Sequence, residues 1–163
     1  MAKSTIVIAL CFLSFVGLAY SQDRFFIEGK VYCDTCRTQF LTRVSEFMPG
    51  ATVRVECKKI EGGEVIFSKE VVTDGSGSYK IAVDGDHQEE VCQIKLVKSS
   101  RADCGEVDNS SYVEKAARIS LTKNNGIVSP IRNANPLGFL VKDPLPVCNQ
   151  IFQELGLLDD LEL

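Results

Sequence analysis

Apolar and polar residues alternate along several short stretches of this chain. Within 51–58, 78–83 and 92–97 an apolar residue stands at every second position, a period of two that is typical of a strand with one buried face. We predict further strands at 25–32, 65–73, 117–122 and 137–141, separated by turn-forming residues. Seven short strands at this spacing predict an all-β fold, either a compact antiparallel β-sandwich or a small β-barrel.

A short helix is predicted near the carboxyl end. Val147, Ile151 and Leu155 recur every four residues, which places them on one face of a helix. Pro146 precedes this stretch and Gly156 follows it, where a glycine can end the last turn. The pattern therefore predicts a β domain that carries one short C-terminal helix.

The first 21 residues have the pattern of a signal peptide. Lys3 supplies a positive charge, residues 6–19 are almost wholly apolar, and small residues stand at Ala19 and Ser21. The apolar run, about 14 residues, is shorter than the roughly 20 of a membrane-spanning helix, which disfavours the alternative of a membrane anchor. We expect cleavage of 1–21 and a single domain over 22–163 that is soluble, secreted into the extracellular space and not inserted in a membrane.

Charge and composition exclude some classes of function. The chain has 163 residues, of which 18 are basic and 22 acidic, so its formal net charge is −4. Proteins that bind nucleic acids need clustered Lys and Arg, so we expect no nucleic-acid partner. The single histidine, His87, excludes mechanisms that need two, as most zinc hydrolase sites do.

Six of the seven cysteines remain after the predicted signal peptide, which contains Cys11, is set aside. An even number in an exported chain predicts three disulfides. The alternating pattern indicates one pair, because Cys57 and Cys92 point into the core from different strands, where a bridge between two sheets would lie. The pattern does not pair the other four. Cys33 and Cys36 would not bond to each other if they continue the first strand.

A possible modification site follows from the same export prediction. Asn109-Ser110-Ser111 matches the acceptor sequence for N-glycosylation. It lies in the polar stretch 108–111, where a glycan would be accessible. We therefore expect a glycan on Asn109.

The segment Cys33-Asp34-Thr35-Cys36 has the spacing of a thiol–disulfide redox pair. That chemistry requires the first cysteine at the start of a helix in a βαβ unit, and no such unit is predicted here. A closed zinc site would need four ligands, and the chain has no second pair of this kind. We interpret these cysteines as structural.

The turn 84–90 is rich in residues that bind metals or move protons: Asp84, Asp86, His87, Glu89 and Glu90. The spacing of an EF-hand is absent, and no nucleophile is evident beside His87 for it to activate as a general base. We interpret the segment as an acidic, solvated turn between two strands. The sequence therefore predicts no catalytic residue, no metal site and no cofactor.

The segment with the first two of these six cysteines resembles a known family. Glu28-Gly29-Lys30-Val31-Tyr32-Cys33-Asp34-Thr35-Cys36-Arg37 looks like the defining motif of the Ole e I-like pollen proteins, the family of the major olive pollen allergen. The segments 49–51, 73–79, 135–139 and 145–148 and the spacing of the six cysteines are also similar to that family. The resemblance covers essentially all of 22–163.

The resemblance implies a disulfide pattern and a type of protein. It pairs Cys33 with Cys104, Cys36 with Cys148 and Cys57 with Cys92. It further implies a small plant glycoprotein of the apoplast or cell wall, with a compact β fold and no established enzymatic activity. Such proteins are associated with pollen and pollen-tube growth, and several are allergens.

The residues of the motif also have a structural interpretation of their own. Gly29 allows a neighbouring backbone to approach closely, Val31 packs inward and Tyr32 lies on the opposite face. Cys33 and Cys36 then anchor the end of the strand at two points. On this interpretation the motif is a structural clasp.

Two classes of function are consistent with the sequence. The favoured one is a recognition protein of pollen that binds a receptor ectodomain or a cell-wall component through exposed loops such as 84–90 and 124–135. The alternative is an apoplastic enzyme or carrier of a small ligand that uses the acidic turn 84–90.

Overall fold

The structure, a computed structural model, describes residues 23–110, 113 and 117–157. The predicted signal peptide, 1–21, lies outside these residues. The described part of the chain contains the strands β1 (Arg24–Asp34), β2 (Glu46–Phe47), β3 (Thr52–Lys59), β4 (Val65–Val72), β5 (Ser78–Asp84), β6 (Glu90–Lys98), β7 (Cys104–Glu106), β8 (Arg118–Ile119), β9 (Ile131–Asn133) and β10 (Leu137–Val141), and the helix α1 (Cys148–Glu154). Within it, no helix has the length and apolar character to cross a membrane.

The long strand β1 organises one of two sheets. Its first half pairs with β5 on one side and β9 on the other, and its second half pairs with β2 and β10. β7 lies beyond β10. The other sheet has the strand order β4-β3-β6-β8, and all of its pairings are antiparallel.

The predicted all-β fold is confirmed. The strands β3, β5 and β6 stand where the alternating pattern predicts them, and β1, β4 and β10 stand at three of the further predicted strands. The short strands β2, β7 and β9 have no such pattern, because two or three residues are too few to show a period. The sequence also did not predict that β9 and β10 run parallel to β1 in an otherwise antiparallel structure.

The predicted strand 117–122 is wrong in extent, because only β8 is formed. The next residues have other partners. The carbonyls of Ser120 and Thr122 accept hydrogen bonds from the guanidinium of Arg132 at 3.0 and 2.8 Å, and the carbonyl of Leu121 accepts one from the His87 backbone N–H at 2.9 Å. Since these groups are already bonded, the segment does not extend the sheet.

The core lies between the inward faces of the two sheets, and its residues are those of the alternating pattern. Side chains at every second position of β3 and β5 are buried, as are those from the first half of β1. The main members are Phe25, Ile27, Val31, Val53, Val55, Ile81, Val83, Ile94 and Phe139. Burial of this apolar surface is the main favourable contribution to folding.

The C-terminal helix is confirmed, and the residues of its predicted apolar face differ in burial. Ile151 is buried and Val147 is partly buried against it, but Leu155, at the end of the helix, is 51% exposed. The helix ends there because Gly156 adopts a φ of 66°, and the N–H of Leu157 then bonds to the carbonyl of Phe152 at 2.8 Å. Helix α1 therefore packs against the rest of the fold mainly through its first turn.

The three disulfides of the structure are the pairs that the family resemblance implies. Cys33 is bonded to Cys104, Cys36 to Cys148 and Cys57 to Cys92. The prediction that the last pair bridges two sheets is wrong. Cys57 and Cys92 lie directly opposite each other on the neighbouring strands β3 and β6, with their Cα atoms 4.0 Å apart. Both do point into the core, as the pattern indicated, but from one sheet.

Candidate recognition surface

Two tyrosines occupy the space above two glycines on adjacent strands. Gly29 of β1 is paired with Tyr79 of β5, and a Cβ atom at residue 29 would lie 2.5 Å from the Cζ atom of that ring. Tyr32 of β1 is paired with Gly138 of β10, where a Cβ atom would lie 2.8 Å from the ring. Through these contacts the segments 73–79 and 135–139 each pack closely against the motif segment 28–37.

Both tyrosines are buried, and burial raises the pKa of each phenol well above its ordinary value. Tyr32 was expected on the face opposite Val31. The ring does face away from Val31, and it is nevertheless buried because the backbone at Gly138 lies against it. Both phenols stay neutral under ordinary conditions, so these rings act as packing elements.

Asp34 shapes the turn that follows β1. Its carboxylate is fully buried and accepts hydrogen bonds from the backbone N–H of Gln39 at 2.6 Å and of Cys36 at 3.2 Å. The chain passes through positive φ at Arg37 (57°) and Gln39 (65°), a conformation that non-glycine residues rarely adopt. The buried carboxylate offsets the cost of this conformation by satisfying two N–H groups of the turn.

Arg37 and the two motif cysteines connect this turn to the rest of the fold. The Arg37 guanidinium donates to the carbonyl of Val141 and to the Glu106 carboxylate, the latter at 2.6 Å. The Cys33–Cys104 disulfide joins β1 to β7, and the Cys36–Cys148 disulfide joins the turn to α1. The motif 28–37 has the geometry of a structural clasp.

An open groove of about 580 Å³ lies where the motif segments meet. Its lining includes Glu28 and Lys30 from β1, Asp74 from the β4–β5 connection, Ser78 from β5 and Asn133 from β9. Lys80, also in the lining, donates to Glu28 at 2.7 Å. The groove therefore presents charges of both signs together with hydrogen-bonding side chains, which suits a polar ligand.

The β4–β5 turn on one side of this groove is held by Asp74. Its carboxylate accepts hydrogen bonds from the Ser76 hydroxyl at 2.7 Å and from the backbone N–H groups of Ser76 and Ser78 at 2.8 and 3.0 Å. The Ser76 hydroxyl and these N–H groups lower the pKa of Asp74, which is therefore ionised at neutral pH. The serines thus serve the turn, and neither is paired with the histidine that nucleophilic catalysis would use.

The acidic turn 84–90 does not form one cluster of free carboxylates. Asp84 accepts a hydrogen bond from Arg24 at 2.5 Å, and this arginine lowers the pKa of Asp84. Asp86 accepts hydrogen bonds from the backbone N–H of Gln88 at 2.9 Å and from the Thr122 hydroxyl at 3.0 Å. These carboxylates bind groups of the protein itself.

The prediction of a solvated turn holds for Asp84, Asp86 and Glu89 but is wrong for His87 and Glu90. The side chains of His87 and Glu90 are only 9% and 14% exposed, and the imidazole Nδ1 contacts the Glu90 carboxylate. The two residues fold over the Cys57–Cys92 disulfide, and one ligand atom from each of these four residues lies within 4.8 Å of every other. Sequence reasoning missed this group because it joins the turn to a strand 30 residues away in the chain.

The loop 124–135, expected to be presented for recognition, is anchored by one buried arginine. The Arg132 guanidinium donates to the carbonyls of Ser120, Thr122 and Ser129 and lies 4.9 Å from the centre of the Phe25 ring. At the other end of the loop, Val128 is 99% exposed. The loop therefore has a fixed base and an exposed apolar tip. A lone arginine that belongs to no motif or period gave no sequence signal for this role.

Asn109 is exposed and lies at the rim of a second, smaller cavity of about 170 Å³. Tyr32 and Gly138, one of the two tyrosine–glycine pairs, line the same cavity. Ser111, the third residue of the acceptor sequence, falls outside the described residues. Glycosylation of Asn109 stays a prediction.

The fold and the clasp define a class of protein: a small two-sheet β domain tied by three disulfides, in which separated motifs meet around one groove. Comparisons with known proteins give the same class. Residues 23–156 match the family model described as "Pollen protein Ole e 1 like". The chain belongs to this family of pollen proteins.

Individual relatives cover nearly the whole chain. An Olee1-like protein of Betula pendula is 59% identical over 162 residues, which are 98% of each chain. The anther-specific protein LAT52 of Solanum lycopersicum is 45% identical over 159 residues, 96% of this chain and 97% of the relative. The crystal structure of the major plantain pollen allergen Pla l 1 has a TM-score of 0.64 and 38% identity, and the match covers 76% of this chain and 98% of that one.

Proposed function

We propose that this chain is a secreted, non-enzymatic recognition protein of pollen. In this proposal the oxidised scaffold binds a receptor ectodomain or a cell-wall component in the extracellular space, during pollen development or pollen-tube growth. The three disulfides support export to an oxidising compartment. The relatives support the association with pollen, since they include pollen allergens and an anther-specific protein.

The main support for this proposal is that the motif segments meet at one groove. Segments around Glu28, Asp74 and Asn133, which are far apart in the chain, meet there, and the tyrosine–glycine pairs and disulfides fix their positions. A rigid frame reduces the entropy lost when a partner binds. Side chains such as Lys30 and Ser78 stand on strands rather than on a mobile loop, so they are already placed for hydrogen bonding.

The chemistry of the described residues supports binding more than catalysis. Around the groove, Lys80 is paired with Glu28, and Asp74 with Ser76 of the β4–β5 turn. Asp84 and Asp86, which the alternative enzyme or carrier would use, are bonded to Arg24 and Thr122. A site made of charged pairs and hydrogen-bonding groups is typical of a specific polar interface.

The test is affinity capture from pollen and pistil extracts with the secreted, oxidised chain. Lys30→Glu places a reversed charge in the groove, and Lys142→Glu makes the same charge change at an exposed residue that does not line it. We expect the native chain and the Lys142 variant to retain the same receptor ectodomain or wall polymer, and the Lys30 variant to retain at least tenfold less. Equal capture by both variants would place recognition elsewhere, and equal capture by reduced, alkylated chain would refute recognition by the folded scaffold.

A further inference from the structure

The connection between β5 and β6 places an imidazole and a carboxylate against a disulfide. Cys57 and Cys92 are buried and lie directly opposite each other on β3 and β6. His87 and Glu90, from the turn and the first residue of β6, contact each other through Nδ1 and the carboxylate. One ligand atom from each of the four residues lies within 4.8 Å of all the others.

The position of His87 does not depend on the disulfide. Its backbone N–H bonds to the carbonyl of Leu121 at 2.9 Å, and its carbonyl accepts the N–H of Glu90 at 3.2 Å. The imidazole packs 5.5 Å from the ring of Phe67. These contacts would keep the imidazole and the carboxylate in place after the sulfur–sulfur bond is broken.

The Nε2 atom of His87 is buried and has no hydrogen-bond partner among the described residues. A buried nitrogen without a partner is unusual in folded proteins and calls for an explanation. Imidazole and thiolate are the ligands that zinc prefers, and a carboxylate is its common third type of ligand. The donor set around His87 is therefore one that a zinc ion would use.

We propose that opening the Cys57–Cys92 disulfide converts this cluster into a zinc site. A two-electron reductant breaks the sulfur–sulfur bond and two thiols form: a dithiol supplies both protons and becomes a disulfide, whereas a phosphine takes oxygen from water, which supplies the protons, and becomes a phosphine oxide. Zn²⁺ then displaces the two thiol protons to solvent and binds both thiolates, a ring nitrogen of His87 and the Glu90 carboxylate. Since the ligand atoms start within 4.8 Å of one another, side-chain shifts on the order of 1–2 Å reach the distances of a tetrahedral zinc site.

The disulfide and the zinc complex would be alternative states of the same two sulfurs. Bound zinc therefore protects the pair from reoxidation, and the intact disulfide excludes zinc. Among the residues that the structure describes, neither Cys33–Cys104 nor Cys36–Cys148 belongs to such a group. Zinc binding on reduction is thus specific to one of the three disulfides, and it does not depend on the proposed recognition function.

The experiment uses Co²⁺ as a spectroscopic probe and the full secreted chain. The protein is partly reduced by a phosphine without oxygen, and the species in which only Cys57–Cys92 has opened, the reduced chain, is isolated and identified by mass spectrometry after alkylation of a sample. We expect the reduced chain to bind one Co²⁺ with an absorbance band of thiolate-to-cobalt charge transfer, and the oxidised chain to show no band. Zn²⁺ should remove the band and protect Cys57 and Cys92 from alkylation.

Variants test the assignment of the ligands. His87→Ala and Glu90→Gln leave all cysteines in place, and each should weaken Co²⁺ binding at least tenfold. Glu89→Gln removes a neighbouring exposed carboxylate of the same turn and should leave the affinity unchanged. The proposal is overturned if the reduced chain shows no band at one equivalent of Co²⁺, if His87→Ala binds as tightly as the native chain, or if bound metal leaves Cys57 open to alkylation.

Discussion

The ring of Tyr79 occupies the space that a side chain at residue 29 would fill. The two residues are partners across β1 and β5, and a Cβ atom at Gly29 would lie 2.5 Å from the Cζ atom of Tyr79. A distance this short requires the ring or the strand to move. The glycine of the family motif is therefore needed for packing, and the motif 28–37 and the segment 73–79 depend on each other through it.

Replacement of Gly29 by alanine should destabilise the fold. The added methyl group displaces a buried ring, and overpacking of this kind costs about 1–3 kcal/mol of unfolding free energy. Gly75→Ala is the matched control, because its Cβ atom would meet nothing within 4 Å. Chemical unfolding of the two oxidised variants measures the difference. An equal, small effect of both substitutions would show that the Tyr79 ring has room to move.

Replacement of Arg132 by methionine should destabilise the base of the loop 124–135. The substitution keeps the length and apolar stem of the side chain but leaves the buried carbonyl of Thr122 and the partly buried carbonyl of Ser120 without their donor. Each buried acceptor that loses a charged donor lowers the free energy of unfolding by about 1–3 kcal/mol. Hydrogen exchange should also become faster at 120–132. The exposed Arg118→Met should change the unfolding free energy by less than about 0.5 kcal/mol.

Much of the fold could be predicted from the sequence because one-sided burial leaves a local signal. Val53 and Val55 are fully buried, as their alternation with polar residues indicates. The pattern tells which way a side chain points and not which strand lies beside it. For that reason it indicated the pairing of Cys57 with Cys92 but assigned the bridge to two sheets instead of one.

The parts of the candidate sites that escaped prediction depend on long-range contacts. Arg132 acts on carbonyls contributed by the segment before its own loop, and His87 is buried by strands from elsewhere in the chain. Neither residue belongs to a period or motif. The groove was missed for the same reason, since the parallel pairing of β9 with β1 brings Asn133 to it. The residues of the motif 28–37 were identified in the sequence from the family resemblance and not from the alternating pattern.

The stability of the protein should decrease in acid partly because of Glu56. The Glu56 carboxylate accepts a hydrogen bond from Lys95 at 2.7 Å. This lysine, and to a smaller extent Lys58, lowers the pKa of Glu56 below its ordinary value near 4.5. A carboxyl group whose folded pKa is depressed stabilises the fold above its unfolded pKa, and this contribution is lost as the pH falls through the folded pKa. The native chain should therefore lose stability below about pH 4.5.

Glu56→Gln isolates this contribution. The variant should be less stable than the native chain by about 1 kcal/mol at pH 7, and the difference should shrink as the pH falls toward 3. Urea unfolding across this range measures it, with the exposed Glu61→Gln as the control. A difference that stays constant with pH would assign the effect to packing and not to the charge of Glu56.

Asn109 should carry an N-linked glycan in the protein secreted from plant cells. The residue is exposed in the structure, so a glycan can be attached without displacing the core. Enzymatic removal of N-glycans should lower the mass of the native chain, and Asn109→Gln should have the lower mass from the start. The unfolding temperature should change little. An unchanged mass after deglycosylation of the native chain would contradict the prediction.

Loss of both motif cysteines should prevent secretion of folded protein. Cys33 and Cys36 close loops with sequence separations of 71 and 112 residues. In the chain-entropy model, each bridge contributes about 4–5 kcal/mol. Their sum is comparable with the whole stability of a typical domain, about 5–15 kcal/mol. Cys33→Ser combined with Cys36→Ser should therefore give little secreted protein, measured as the yield of folded chain in the medium.

Two further variants distinguish the loss of cross-links from mispairing. The double substitution leaves Cys104 and Cys148 as free thiols that could pair wrongly. A variant with serine at all four positions cannot mispair in this way, and it should be equally poorly secreted because it lacks the same two cross-links. Cys57→Ser with Cys92→Ser removes only the bridge with a separation of 35 residues and should be secreted with a lower unfolding temperature. Normal yield and an unchanged unfolding temperature for the Cys33/Cys36 variant would refute the structural clasp, because the fold would then hold the end of β1 without either bond.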